Sequence, residues 1–147
     1  MEYMFGKEGI GITHLKLEMG SDVNSSSGTE PSVMRSADEK ADVTRGAGYQ
    51  LAADAKQIEP ALTLDMLWWS EPRWISEADD TYAARYKWYK EPLDAAYKPY
   101  GIKFDYVSAV QNERAADLDL VKYLSEHLKI ETECPYDYYN IMIVGGE

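Results

Sequence analysis

The amino-acid sequence predicts an α/β protein in which four strands alternate with three helices. Short, mostly apolar runs, typical of buried strands, alternate with longer segments whose apolar residues recur every three or four positions, as on one face of a helix. This alternation predicts a parallel sheet built from crossover units. The chain has 147 residues, enough for one domain or a piece of one.

Four segments have the composition of strands. Residues 61–69 are the clearest, because they are mostly apolar and are followed by Ser-Glu-Pro. Residues 11–18 form a shorter run with apolar residues at 12, 15 and 17. Apolar runs of the same kind occupy residues 104–110 and 140–145.

Three segments have the periodicity of helices. Apolar residues in 43–58 step by four, four, four and three, and residues 80–98 and 118–128 follow the same rule. Pro92 lies inside the second of these segments and is expected to kink or divide that helix. Residues 20–42 are rich in Ser, Gly and Asp and predict a long loop.

Two architectures fit this order of elements: an open doubly wound sheet and a segment of a (β/α)₈ barrel. Periodicity does not separate them. Both place functional residues at the carboxyl ends of the strands.

Composition disfavours several classes of partner. Fifteen Lys and Arg against 26 Asp and Glu give a net charge of −11, which repels phosphate backbones and anionic lipid, so no nucleic acid is expected. No apolar run approaches the roughly 18 residues of a membrane span, so no stable membrane insertion is expected. Cys134, His14 and His127 form no zinc pattern. The glycines at 6–11 precede a strand and those at 46 and 48 lie within a helical segment, so no nucleotide cofactor is expected. Without a Cys/His cluster, no metal cofactor is expected either.

The segment after the third strand holds the strongest candidate for catalysis. Asn112 and Glu113 place an amide beside a carboxyl, which suits proton transfer by one group and hydrogen bonding to a sugar hydroxyl by the other. The structural alternative is that Glu113 lies in the first turn of a helix, where it interacts with the helix dipole, and that Asn112 is a turn residue.

Two further segments at strand ends are candidates for ligand binding. Trp69 ends the second strand, where an aromatic face suits the apolar face of a pyranose ring, although large aromatics more often fill a core. Ser26 lies in a serine-rich stretch of the long loop whose hydroxyls suit a polar ligand, although serine loops are usually solvated turns.

Four motifs together resemble the catalytic barrel of the galactocerebrosidase family, glycoside hydrolase family 59. They are Leu-Lys-Leu-Glu-Met-Gly-Ser-Asp at 15–22, Gly-Thr-Glu-Pro-Ser at 28–32, Leu-Trp-Trp-Ser-Glu-Pro-Arg-Trp at 67–74, and Phe-Asp-Tyr-Val at 104–107 followed by Asn-Glu-Arg at 112–114. The resemblance implies that Glu113 is the general acid/base. It also implies that Asn112, Trp69 and Ser26 contact galactose.

The same resemblance implies that residues 1–147 are part of a (β/α)₈ barrel domain, approximately its strands two to five. Such barrels need roughly 250 residues. The family's nucleophile follows barrel strand seven and would lie outside this chain, so the chain alone is expected to be inactive. Its unpaired strand edges are expected to allow self-association.

The substrate implied by the resemblance is a β-galactoside or galactolipid, and family members are secreted or lysosomal. Gln111, Glu71 and Arg73 depart from the residues usual in the family, which leaves the aglycone open. A non-catalytic sugar-binding or interaction protein that keeps the surface of Trp69 and Asn112 is the alternative reading. An unrelated open-sheet domain is the third.

Overall fold

The computed structural model describes residues 1–25 and 28–146. Its strands are β1 (His14–Glu18), β2 (Asn24–Ser25), β3 (Gly28–Thr29), β4 (Thr63–Leu67), β5 (Tyr106–Ser108) and β6 (Met142–Val144). Its helices are α1 (Glu2–Phe5), α2 (Gly48–Ile58), α3 (Arg73–Ser76), α4 (Thr81–Tyr100) and α5 (Leu118–Ile130). The predicted strands correspond to β1, β4, β5 and β6 and the predicted helices to α2, α4 and α5, so the α/β class is confirmed.

Four of the strands form one parallel sheet in the order β1-β4-β5-β6. Its register aligns the last residue of every strand: Glu18 pairs with Leu67, Leu67 with Ser108, and Ser108 with Val144. A helix lies in each connection between neighbouring strands. The carboxyl ends of all four strands therefore lie at one level along one edge of the sheet.

The three longer helices form a layer against this sheet. Helix α2 contacts α4, and α4 contacts α5, while α2 and α5 also contact the outer strands β1 and β6. The hydroxyl of Tyr49 on α2 lies 3.5 Å from the sulfur of Met66, so this face of β4 points to the helices. The side chains that fill the interface and are almost completely buried include Leu64, Met66, Trp88, Tyr89, Leu93, Val107, Leu120 and Leu124.

Local contacts set both ends of α4 and the start of α5. The Asp80 carboxylate accepts the N–H groups of Tyr82 and Ala83 at 3.1 and 3.0 Å, which satisfies donors at the start of α4. Gly101 ends α4 in the left-handed conformation at φ 65°, where glycine is favoured. Asp117 caps α5 by accepting the N–H of Leu120 at 3.0 Å.

Three local expectations differ from the structure. Helix α2 begins only at Gly48, because Asp42 accepts both the N–H and the hydroxyl of Thr44 and holds a turn before it. Pro92 does not divide α4, since it is buried and the packing of this helix against the core offsets the lost hydrogen bond. Within the segment predicted as a long loop, β2 and β3 pair as two short antiparallel strands, which the sequence did not predict.

The sheet face opposite the helices contains a buried acidic side chain. Asp65 lies between two core residues of β4, so it points away from the helix layer, and its side chain is only 1% exposed. The Ser108 hydroxyl donates to both of its oxygens at 2.9 and 3.1 Å. The Lys16 ammonium lies 3.4 Å away and the His14 ring nitrogen 3.8 Å away. These contacts tie β1, β4 and β5 together.

Replacing Ser108 by Ala is expected to lower the free energy of unfolding by about 1–3 kcal/mol, because a buried carboxylate loses its hydroxyl donor. Urea denaturation followed by circular dichroism measures the change. The matched control is Ser76→Ala, at an exposed position of α3 where the hydroxyl bonds to the carbonyl of Arg73. A Ser108 variant no less stable than this control would show that the Asp65 contacts contribute little.

Candidate active site

The candidate site lies along the carboxyl edge of the parallel sheet. Ligands of open parallel sheets and of (β/α)₈ barrels bind at this edge, because the loops that follow the strands meet there. Trp69 follows β4 by two residues, and Glu113 follows β5 by five. Since β4 and β5 are neighbours whose ends are aligned, both segments belong to the same edge.

Gln111 shapes the turn that contains Asn112 and Glu113. Its side chain is 5% exposed, and its side-chain oxygen accepts the N–H of Glu113. Its main-chain carbonyl accepts the N–H of Arg114 at 3.2 Å. Helix α5 begins only at Leu118, so the alternative reading of Glu113 as a first-turn helix residue is wrong.

The side chains of Asn112 and Glu113 project from this turn into solvent. Both residues are exposed, and neither side chain makes a hydrogen bond or ion pair with any residue that the structure describes. A carboxyl and an amide are therefore accessible side by side, as contacts to a sugar require.

The three tryptophans near β4 have different surroundings. Trp68 is 5% exposed and belongs to the core. The indole N–H of Trp74 donates to the carbonyl of Met34 at 3.0 Å, which fixes Trp74 against the long loop. Trp69 is partly exposed, and its ring makes neither a hydrogen bond nor an aromatic contact within residues 1–25 and 28–146. Among these three rings, Trp69 has its faces most available to a ligand.

Ser26 lies outside the described residues, while the loop on either side of it is well anchored. The carbonyl of Glu30 accepts the N–H groups of Ser21 and Asp22 at 3.2 and 3.1 Å. The Asp22 carboxylate accepts the N–H of Ser32 at 3.2 Å and pairs with the Arg35 guanidinium at 2.7 Å. The loop therefore returns to the carboxyl end of β1.

Two carboxyl groups at this edge were missed by reasoning from the sequence. Glu18 is the last residue of β1, and burial, followed by the negative charge of Glu30, raises its pKa above 4.5. Burial likewise raises the pKa of Glu30, whose carboxyl lies so close to Gly46 that a Cβ there would collide with it. A protonated carboxyl can donate a hydrogen bond to a sugar oxygen, which a carboxylate cannot.

These two residues belong to the motifs at 15–22 and 28–32, which were the available signal for them. Their proximity depends on how the loop folds back, and spacing along the chain does not reveal it.

In the described part of the chain, no group of three or more His, Cys, Asp or Glu side chains could hold a metal ion. None of the helices among residues 1–25 and 28–146 combines the length and apolar character needed to cross a membrane.

Comparison with protein families decides the assignment. The model of glycosyl hydrolase family 59 matches residues 1–144. The chain belongs to this family. The match covers β1, β4, β5 and β6 and every described residue of the candidate site, which confirms the resemblance inferred from the four motifs.

Curated members of family 59 are similar to the chain at moderate identity. The galactocerebrosidase of Danio rerio is 29% identical over 138 residues, which cover 87% of this chain and 20% of the relative. That of Homo sapiens is 28% identical over 141 residues, covering 89% and 20%, and that of Canis lupus familiaris is 30% identical over 141 residues with the same coverage. The chain therefore spans about one fifth of the length of these relatives.

The raised pKa of Glu18 predicts a pH dependence of stability. The folded protein binds this proton more tightly than the unfolded chain, so stability falls as pH rises from the unfolded value of 4.5 to the higher folded value. Glu18→Gln is expected to raise the melting temperature by a few degrees at about pH 7 and by less at about pH 4.

Thermal unfolding at the two pH values measures this difference. The control is Glu126→Gln, at an exposed position of α5, and it is expected to change neither melting temperature. Equal effects of Glu18→Gln at both pH values would contradict the assigned burial of its carboxyl.

Proposed function

We propose that this family 59 chain forms strands two to five of a (β/α)₈ barrel and supplies the acid/base of a retaining β-galactosidase of the galactosylceramidase type. The parallel order β1-β4-β5-β6, with a helix in each connection, is the order that consecutive barrel strands have. The curated relatives named galactocerebrosidase support a galactolipid or related β-galactoside as substrate. On this proposal residues 1–147 are a fragment of the barrel domain.

One observation carries the proposal: the aligned ends of β4 and β5 bring Trp69 and the Asn112–Glu113 turn to the same edge of the sheet. The side chains of all three residues lack partners among the described residues. An aromatic face, an amide and a carboxyl are the groups that recognise a pyranose and protonate its glycosidic oxygen.

In the proposed reaction Glu113 donates its proton to the glycosidic oxygen as the bond to the anomeric carbon breaks. A second carboxylate attacks that carbon from the opposite side, and Glu113 then removes a proton from the water that releases galactose. Trp69 stacks on the apolar face of the sugar, while Asn112 and Ser26 bond to its hydroxyls. These roles are inferred from the family motifs.

The second carboxylate is proposed to lie in barrel strands beyond these residues. The nucleophile of a retaining enzyme lies about 5–5.5 Å from the acid/base. Within the described sheet, β1 and β6 each have one unpaired edge, and a cleft of about 680 Å³ runs along β6 beside α5. Met142 at this edge is 51% exposed. Neighbouring barrel strands would cover these surfaces, and without them the edges allow self-association, which sedimentation velocity would detect.

The 147-residue chain alone is expected not to hydrolyse an aryl β-galactoside, because the covalent step lacks its nucleophile. In the complete polypeptide that contains the chain, Glu113→Gln is expected to lower kcat/KM for an alkyl β-galactoside by about 10²–10⁴-fold. The loss should be much smaller for a dinitrophenyl galactoside, since that leaving group departs without a proton.

Steady-state kinetics with both substrates measures these effects, and Glu126→Gln is the control that should change neither. Equal losses for the two leaving groups would assign Glu113 a structural role. Glu113-dependent turnover by the chain alone would contradict the inference that the nucleophile lies outside residues 1–147. Galactoside binding without any hydrolysis by the complete polypeptide would favour the non-catalytic sugar-binding alternative.

A further inference from the structure

Helix α4 presents three side chains to the carboxyl ends of β4 and β5. Tyr82, Arg85 and Tyr89 are spaced by three and four residues, so they lie on one face of the helix. Each contacts a different part of the candidate site. The catalytic and sugar-binding roles proposed above use none of them.

Arg85 lies at the centre of these contacts. Its guanidinium donates to the two carboxylate oxygens of Glu71 at 2.8 and 3.3 Å, and both side chains are only 16% exposed. The same guanidinium lies 4.8 Å from the centre of the Trp68 ring. Arg85 therefore holds two residues of the segment that contains Trp69, one on each side of it.

Trp68 also contacts the last residue of β5 and the segment after it. Its main-chain N–H donates to the carbonyl of Ser108 at 3.4 Å, and the guanidinium of Arg114 lies 6.0 Å from the centre of its ring, at the outer limit of a cation–π contact. Its buried indole N–H has no hydrogen-bond partner among the described residues. Contacts with the ring faces, rather than a hydrogen bond, therefore hold the indole.

The other two residues of this helix face bind the end of β5 and the segment that follows it. The Tyr89 hydroxyl donates to the carbonyl of Ser108 at 2.6 Å. The Tyr82 hydroxyl donates to the Asp117 carboxylate at 3.0 and 3.1 Å, and Asp117 also caps α5. Helix α4 thus contacts both segments that contain proposed substrate-binding groups.

We propose that Arg85 is a positioning residue that fixes Trp69 and Glu113 relative to one another, through the chain of contacts Glu71–Arg85–Trp68–Arg114. The inference rests on the proposed function for its catalytic consequence. It gives the unusual Glu71 a role as the counter-ion of Arg85. Arginine is needed here, because only a planar guanidinium can bond to a carboxylate with two N–H groups while it lies on an aromatic face.

The first test uses the 147-residue chain labelled with ¹⁵N. Arg85→Lys keeps the charge but not the planar fork, and it is expected to shift the indole signals of Trp68 and Trp69 and the amide signal of Glu113. Glu71→Gln should shift the same three signals. The matched control is Arg73→Lys, which alters an exposed ion pair with Glu77 in the same segment, at 2.7 Å and 87% and 57% exposure, and should leave them in place.

The second test measures kinetics in the complete polypeptide. Arg85→Lys is expected to lower kcat/KM for a β-galactoside by about 10- to 100-fold, with a higher KM from the displaced Trp69 and a lower kcat from the displaced Glu113. Arg73→Lys should change neither constant.

The two tests separate the inference from the proposed function. An unmodified polypeptide without galactosidase activity would contradict the function, while the spectra would still decide the role of Arg85. Signals of Trp69 and Glu113 that remain unshifted in Arg85→Lys would overturn the positioning role, as would kinetic constants equal to those of the unmodified protein.

Discussion

The parallel pairing of β4 with β5 is the constraint on which the candidate site depends. Its register ends both strands at one level, Leu67 beside Ser108, so the residues that follow them meet at one edge. A shift of one residue would move every side chain of β5 to the other face of the sheet. The site is therefore a property of strand register before it is a property of any single side chain.

Ser108 maintains this register from two directions. Its hydroxyl bonds to the buried Asp65 of β4, and its carbonyl accepts hydrogen bonds from Tyr89 of α4 and from the main chain of Trp68. Polar groups buried in this way are stable only when they are fully bonded, which makes alternative registers unfavourable. The same contacts connect the core to the segments that contain Trp69 and Glu113. The residues that stabilise the core therefore also position the proposed site.

Much of the fold could be predicted from the sequence, because the spacing of buried apolar residues differs between strands and helices. The apolar runs identified β1, β4, β5 and β6, and their alternation with helices identified a parallel sheet. Pro92 does not divide α4, although division was one of its two expected effects, because local propensity yields to tertiary packing. The predicted start of α2 was several residues too early. The hydrogen bonds between Asp42 and Thr44, which hold the preceding turn, leave no periodic pattern in the sequence.

The candidate site, too, could be predicted from the sequence only in part. The segments of Trp69, Asn112 and Glu113 were found because strand ends are visible in the sequence. Three other interactions join residues that lie 12 to 43 positions apart in the sequence. They are the interactions between Glu18 and Glu30, between Asp65 and Ser108, and between Arg85 and Trp68. Such pairs appear only once the chain has folded, because nothing in either local sequence indicates the partner.

The proposed function requires that a β-galactoside binds at the carboxyl edge of this sheet. A ¹⁵N NMR titration of the chain with methyl β-galactoside tests it most directly, with the indole signal of Trp69 assigned from Trp69→Phe. Binding there is expected to shift the Trp69 indole signal and the Asn112 side-chain amide signal, and both shifts should saturate together. The backbone amide signals of Tyr97 and Tyr136, which contact each other away from this edge, should not move. Shifts that spare Trp69 and Asn112 would contradict it.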